Sequence, residues 1–125
     1  MPPATPQRLR FIPAMHIKQG RDFSRARSQG QRLVLGCLIA NWLVLPEGSA
    51  TRLGVVTSGK IGNAVVRNRA RRLMREAFRL HQHELARPMD LVLVARPSIT
   101  NKAFSGVEKD YLATLRRAGL LKVAS

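Results

Sequence analysis

The chain has 125 residues, with 22 lysines and arginines against seven aspartates and glutamates, giving a formal net charge of +15. That length fits one domain with a modest core, and the charge lies far outside the range of an ordinary small domain, so nucleic acid precedes an anionic membrane or an acidic protein as the partner to consider. No run of about 18 apolar residues is present, which excludes a spanning helix, and the single Cys37 builds no disulfide framework and reads as a small buried hydrophobe in a reducing compartment.

Residues 1–7 hold three of the seven prolines and are expected to form a flexible arm. Met1-Pro2-Pro3-Ala4-Thr5-Pro6 lacks the basic start and apolar run of a secretory signal, which with the reduced cysteine points to the cytoplasm. Arg8 to Lys18 reads as a solvated segment. Gly20 to Ser28 predicts a short helix with Phe23 and Ala26 facing inward and Gly30 ending it. Arg32 to Leu45 is rich in Leu, Val, Ile and Trp and reads as one strand, with Trp42 a core or rim aromatic. Pro46-Glu47-Gly48-Ser49 is a turn, so that strand is expected to pair with Thr51 to Thr57 as an antiparallel hairpin.

Residues 65–80 predict a helix. At 100° per residue Val66, Ala70, Leu73, Met74, Ala77 and Leu80 fall on one stripe, with Phe78 near its border. Arg67, Asn68, Arg69, Arg71, Arg72, Arg75 and Arg79 occupy the rest, interrupted only by Glu76. Arg67, Arg71 and Arg75 stand four apart and repel one another by roughly a few tenths of a kcal/mol per pair, a cost that a bound polyanion would remove.

Leu91 to Ala95 reads as a central strand, so strand, arginine helix and strand form a crossover within one sheet. Ser98 to Lys102 reads as a linker, and Ser105-Gly106-Val107-Glu108 fits a capping box. Val107, Tyr111, Leu112, Leu115 and Ala118 form a second apolar stripe down to Gly119, with Lys109, Arg116 and Arg117 outside and the Tyr111 hydroxyl at the boundary. Leu120 to Ser125 is expected to fray.

Little here looks like a protein-borne active site. His16, His81 and His83 lack companions at metal-ligand spacing and read as solvated. Asp90 reads as a turn residue and Glu76 as half of a surface ion pair. Gly59-Lys60-Ile61-Gly62-Asn63 lacks the order of a nucleotide-binding phosphate loop, yet its glycines could bring backbone N–H groups and Lys60 to an RNA phosphate at a helix N-terminus. Asn63 caps the helix or places its amide on a base or ribose; the two are compatible. Arginine presents a planar, permanently charged fork to phosphate, and several on one rigid helix fix register on a structured nucleic acid. No positioning helix precedes this one as duplex-DNA readers require, and a face that reads width and phosphate spacing suits folded RNA.

Residues from about Gly54 to Arg79, above all the run Lys60-Ile61-Gly62-Asn63-Ala64-Val65-Val66-Arg67-Asn68-Arg69 followed by Arg71-Arg72-Leu73 and Arg75-Glu76-Ala77-Phe78, closely resemble the protein component of bacterial ribonuclease P. The resemblance continues through Asp90 to Pro97 and Ala118-Gly119-Leu120, and back to Arg21-Asp22-Phe23 and Gly30. It implies a small single-domain, two-layer α/β fold over residues 8–120, followed by a tail at 121–125. The fold would have a four-stranded sheet, about three helices and a left-handed βαβ crossover, an exception to the usual handedness.

The resemblance also implies a role supporting a catalytic RNA subunit that, with Mg2+ held mainly by the RNA, removes the 5′ leader of precursor tRNA. No membrane and no obligate protein partner are expected. Lys60, Asn63, Arg67, Asn68, Arg69, Arg71, Arg72 and Arg75 would then face the RNA. Phe23, Arg27, Val34 and Gly36 would belong to a cleft for the single-stranded leader, where Arg27 and Gly36 stand at positions the family usually gives to aromatics. Arg67→Ala or Arg69→Ala is expected to weaken assembly without unfolding the domain. The rival reading is a structural, ribosome-associated type of RNA-binding protein with no share in catalysis, and a DNA-binding regulator comes third.

Overall fold

A computed structural model describes residues 11 and 13–122; the arm expected over residues 1–7 lies outside the described residues. Helix α1 (Gly20–Gln29) is followed by strands β1 (Gln31–Leu35), β2 (Leu38–Val44) and β3 (Arg52–Val56), helix α2 (Ala64–His81), strand β4 (Met89–Ala95) and helix α3 (Phe104–Ala118). The sheet runs β1-β2-β4-β3, with β4 antiparallel to β2 and parallel to β3. The four-stranded sheet, the three helices and the β3-α2-β4 crossover match the expectation.

Period-two alternation divides the sheet into two faces. Leu33, Leu38, Ala40, Trp42, Leu53, Leu91 and Leu93 point into the main core, where Ala70, Met74, Ala77 and Phe78 of α2 meet Val107, Tyr111 and Leu115 of α3. Phe78, placed by periodicity at the border of the stripe, is fully buried. On the other face Ala26 of α1 packs with Ile17 and Val92, flanked by Phe23, Val56 and Val94.

The expected hairpin is wrong. Residues 31–44 form two strands joined by a two-residue turn, with Leu35 opposite Leu38. Gly36 has φ 58° and the next residue a negative φ, the arrangement of the tight hairpin turn that begins with glycine. Thr51–Thr57 contributes β3, which pairs parallel to β4 and lies at the opposite edge of the sheet from β1, with β2 and β4 between them.

Gly30 ends α1 as expected, but not through a left-handed cap: its φ is −92°. A Cβ there would lie 2.1 Å from the Trp42 carbonyl oxygen, so glycine lets the helix end touch the β2 backbone. Gly119 does end α3 in the left-handed region, at φ 74°. The expected capping box is absent because α3 starts earlier, at Phe104 after Ala103. Ser98–Lys102, read as a linker, is largely a turn of 3-10 helix that buries Ile99.

Several polar groups are more deeply used than their sequence positions suggested. Asp90 is 1% exposed and takes a bidentate pair from Arg52, at 2.9 and 2.7 Å, so it is a structural ion and not a turn residue. Cys37 is buried as expected; burial and then the Asp110 carboxylate push its thiol up to about 12. The Tyr111 hydroxyl is buried, with no hydrogen-bond partner among the described residues, rather than at the boundary. Leu120 is buried, and the Lys122 amide donates to the Glu84 carbonyl at 2.8 Å, so residues 120–122 are docked rather than frayed.

His81 is not solvated. Its Nδ1 meets Glu84 and its Nε2 meets Glu108 of α3 at 2.7 Å, so it ties the end of α2 to α3. Burial alone would lower its pKa, but the bonds to Glu108 and Glu84 outweigh that and raise it. A raised folded-state pKa adds stability that is complete below the unfolded value of about 6.5 and is lost as pH climbs through the folded value. The thermal midpoint is therefore expected to fall as pH rises through that window, and His81→Gln is expected to flatten the dependence. Gly30→Ala should cost about 1–3 kcal/mol in denaturant unfolding, because the Trp42 backbone cannot retreat without distorting β2.

Candidate nucleic-acid interface

The cationic face begins in the loop before α2. Ile61 is buried and plugs the loop onto the core, leaving Lys60 exposed. Asn63 caps the helix, its Oδ1 accepting from the Val66 amide at 3.1 Å. With one side of α2 fixed against the sheet, the polar side has to face outward.

The arginines on it divide into two groups. Arg69 donates to the Lys102 carbonyl at 2.7 Å, clamping α2 to the segment that starts α3. Arg71 donates to Thr57 Oγ1 at 2.6 Å and to Asn68 Oδ1. Arg67 and Arg72 make no side-chain hydrogen bond among the described residues, and Arg75 has a buried Nε with no acceptor.

None of Lys60, Arg67, Arg69, Arg71, Arg72 and Arg75 pairs with a carboxylate among the described residues. Six of the seven acids are engaged with other groups: Asp22 with Arg25 and Arg52, Asp90 with Arg52, Glu76 with Arg79, Glu84 and Glu108 with His81, and Asp110 with Lys102, while the exposed Glu47 lies in the turn between β2 and β3. The positive potential of this face is therefore uncancelled from within.

On the opposite face of the sheet, register places Val34 beside Ile39, Ile39 beside Val94, and Val94 beside Val56. This aliphatic row crosses all four strands. Val34 is 44% exposed, and Ile39, Val94 and Val56 are half-buried. The neighbouring row, Asn41, Val92 and Gly54, is buried, with α1 packed over Val92. The Phe23 ring packs against Gly54, where a Cβ would come within 2.4 Å of it. Arg27, one turn further along α1, is exposed.

Phe23 and Arg27 belong to α1, and Val34 to the sheet face on which α1 packs. Gly36 does not belong on a strand there: it sits in the β1-β2 turn over Asp110, whose Oδ2 accepts from the Cys37 amide at 2.9 Å. Ile39, Val56 and Val94 carry no sequence signal that links them to Val34, because only the strand register brings the four into one row. Thr57, which holds Arg71, directly follows Val56, so the aliphatic row and the cationic face meet at that strand end.

A family model described as Ribonuclease P matches residues 11–119. This chain belongs to the ribonuclease P protein family. The ribonuclease P protein component of Syntrophomonas wolfei is 38% identical over 104 residues, covering 83% of this chain and 87% of that protein. That of Gluconacetobacter diazotrophicus is 34% identical, covering 86% and 93%. Among solved structures, the Staphylococcus aureus RNase P protein superposes with a TM-score of 0.78 at 26% identity, covering 86% of this chain and 98% of that one. The chain is thereby related to the protein subunits of an RNA-based enzyme complex.

Among the described residues no group of three or more His, Cys, Asp or Glu side chains could hold a metal ion, and no helix is long and apolar enough to cross a membrane. The two groups of arginines separate in a stability measurement. Arg69→Ala is expected to lower unfolding free energy by about 1 kcal/mol through the lost bond to Lys102, whereas Arg67→Ala and Arg72→Ala should stay within about 0.5 kcal/mol of the parent chain in urea titrations.

Proposed function

We propose that this chain is the protein subunit of ribonuclease P, acting in the cytoplasm with an RNA subunit that carries out metal-dependent removal of the 5′ leader from precursor tRNA. The observation that carries the reading is the α2 face: a family motif whose cations have no carboxylate partner among the described residues. Joining an RNA enzyme to an RNA substrate costs charge repulsion, and this face offsets it. Lys60, Arg67, Arg72 and Arg75 supply phosphate contacts, while Arg69 and Arg71 hold the helix and its loop in place. Magnesium, held mainly by the RNA, would supply the metal-ion chemistry of the cleavage. No protein side chain is assigned a proton transfer.

The cleft between α1 and the aliphatic row suits a single strand, whose bases have apolar faces and whose phosphates follow a basic rim. Phe23 is the one aromatic platform there. With Arg27 in place of a second, part of the affinity shifts from stacking to phosphate attraction.

Reconstitution with the cognate RNA subunit at limiting magnesium tests this reading. The protein should stimulate leader removal, and Arg67→Ala or Arg72→Ala should each lower kcat/KM roughly three- to tenfold with a shallower salt dependence. Tight RNA binding without stimulation would instead leave a structural RNA-binding role. Phe23→Ala should weaken binding of precursor tRNA while sparing leaderless tRNA, read by competition between the two.

A further inference from the structure

The outer surface of α2 carries a groove of about 380 Å³, lined by Phe11, Asn68, Arg72, Arg75, Glu76 and Arg79. Its size falls within the range of about 300–1,000 Å³ typical of small-ligand clefts. Phe11 is its aromatic wall, and that wall is braced. The Phe11 ring stacks on His16 at 3.9 Å and packs at 5.5 Å against the buried Phe78. His16 bridges to Leu53 at the β3 edge, and the Ile17 amide donates to the Leu53 carbonyl at 2.9 Å.

The polar groups lining the groove are of two kinds. Glu76 is taken by Arg79, at 2.9 and 2.6 Å, and Asn68 Oδ1 is taken by Arg71. Arg72 and Arg75 have no carboxylate partner, and the amide nitrogen of Asn68 has no acceptor among the described residues. An aromatic wall, two uncompensated guanidinium groups and an amide donor together match a planar heterocycle carrying a phosphate. A bare anion would leave the aromatic wall without a purpose, and a cation would be repelled.

We propose that this groove takes one unstacked nucleotide of the RNA partner, with its base against Phe11 and its phosphate on Arg72 and Arg75. The proposal rests on the reading of α2 as an RNA-binding face and adds to it a base-accepting site outside the leader cleft. Asn68 donates its amide to an acceptor on the base edge. The site favours a bulge or loop over an uninterrupted helix, because only there is a base free to leave the stack.

The test titrates the full chain with the four nucleoside 5′-monophosphates and, separately, with ribose 5-phosphate, following backbone NMR shifts. Nucleotides should give saturable changes over residues 68–79, with ribose 5-phosphate binding roughly tenfold more weakly. Phe11→Leu should erase that difference and raise the Kd for the cognate RNA subunit by roughly tenfold with an unchanged salt slope, whereas Arg72→Ala should reduce the slope by about one. Equal binding of ribose 5-phosphate and nucleotides by the parent chain overturns the proposal, and so does wild-type RNA affinity in a folded Phe11→Leu. In either case, weakened RNA binding by Arg67→Ala and Arg72→Ala would leave the RNA-binding reading of α2 intact, while unchanged binding by those variants would remove that reading as well.

Discussion

The structure depends on how α2 is seated. Ala70, Met74, Ala77 and Phe78 are each at most 1% exposed: the two alanines let the helix approach the sheet, and the two large side chains fix its rotation. Burying a side chain such as Met74 or Phe78 is worth roughly 1.5–3 kcal/mol, whereas each like-charge pair on the outer side costs only about a few tenths of a kcal/mol. Packing wins by a wide margin. The helix can therefore hold Arg67, Arg72 and Arg75 outward with no anion present, and the cationic surface exists before any RNA arrives.

The other face of the sheet is organised by charge. Asp90 is nearly inaccessible and would be costly to leave unpaired, so Arg52 is held across β3 and β4 by two hydrogen bonds. The same guanidinium also meets Asp22 of α1 at 3.3 Å. Helix α1 is thus pinned near its start by an ion pair and at its end by the contact of Gly30 with Trp42. Between those points Phe23 packs against Gly54, where the absence of a side chain makes room for the ring. The groups that fix α1 do not themselves belong to the aliphatic row.

These two surfaces differ in how far the sequence displays them. Helix α2 and strand β4 are legible because their signal is local: a 3.6-residue stripe in one and an unbroken β-rich run in the other. The β1-β2 hairpin is not, because its turn rests on Gly36 and a buried Cys37 inside an apolar stretch, without the proline, asparagine or aspartate that usually marks a reversal. Two short strands then read as one long strand, and its partner is misassigned. Arg52 with Asp90, His81 with Glu108, and the row from Val34 to Val56 join residues far apart in the chain, so no spacing encodes them. The outward arginines of α2 can be named from their spacing alone, whereas the aliphatic row that runs from Val34 to Val56 needs the strand register.

The arginines of α2 also show why a charge pattern alone understates an interface. Residues that look equivalent in sequence have separate tasks once Arg69 meets the Lys102 carbonyl and Arg71 meets Thr57. Each tethered side chain has given up much of its rotamer freedom, of order 2 kcal/mol for a free arginine, during folding rather than at docking. Those tethers stiffen the helix and the loop that carries Lys60. The untethered guanidinium groups of Arg67 and Arg72 stay free to follow phosphates whose positions vary. A face with every arginine tied would offer few donors to a partner, and one with none tied would have to order the whole set on binding; the mixture gives a rigid frame with adjustable contacts, the combination that the proposed RNA-binding role requires.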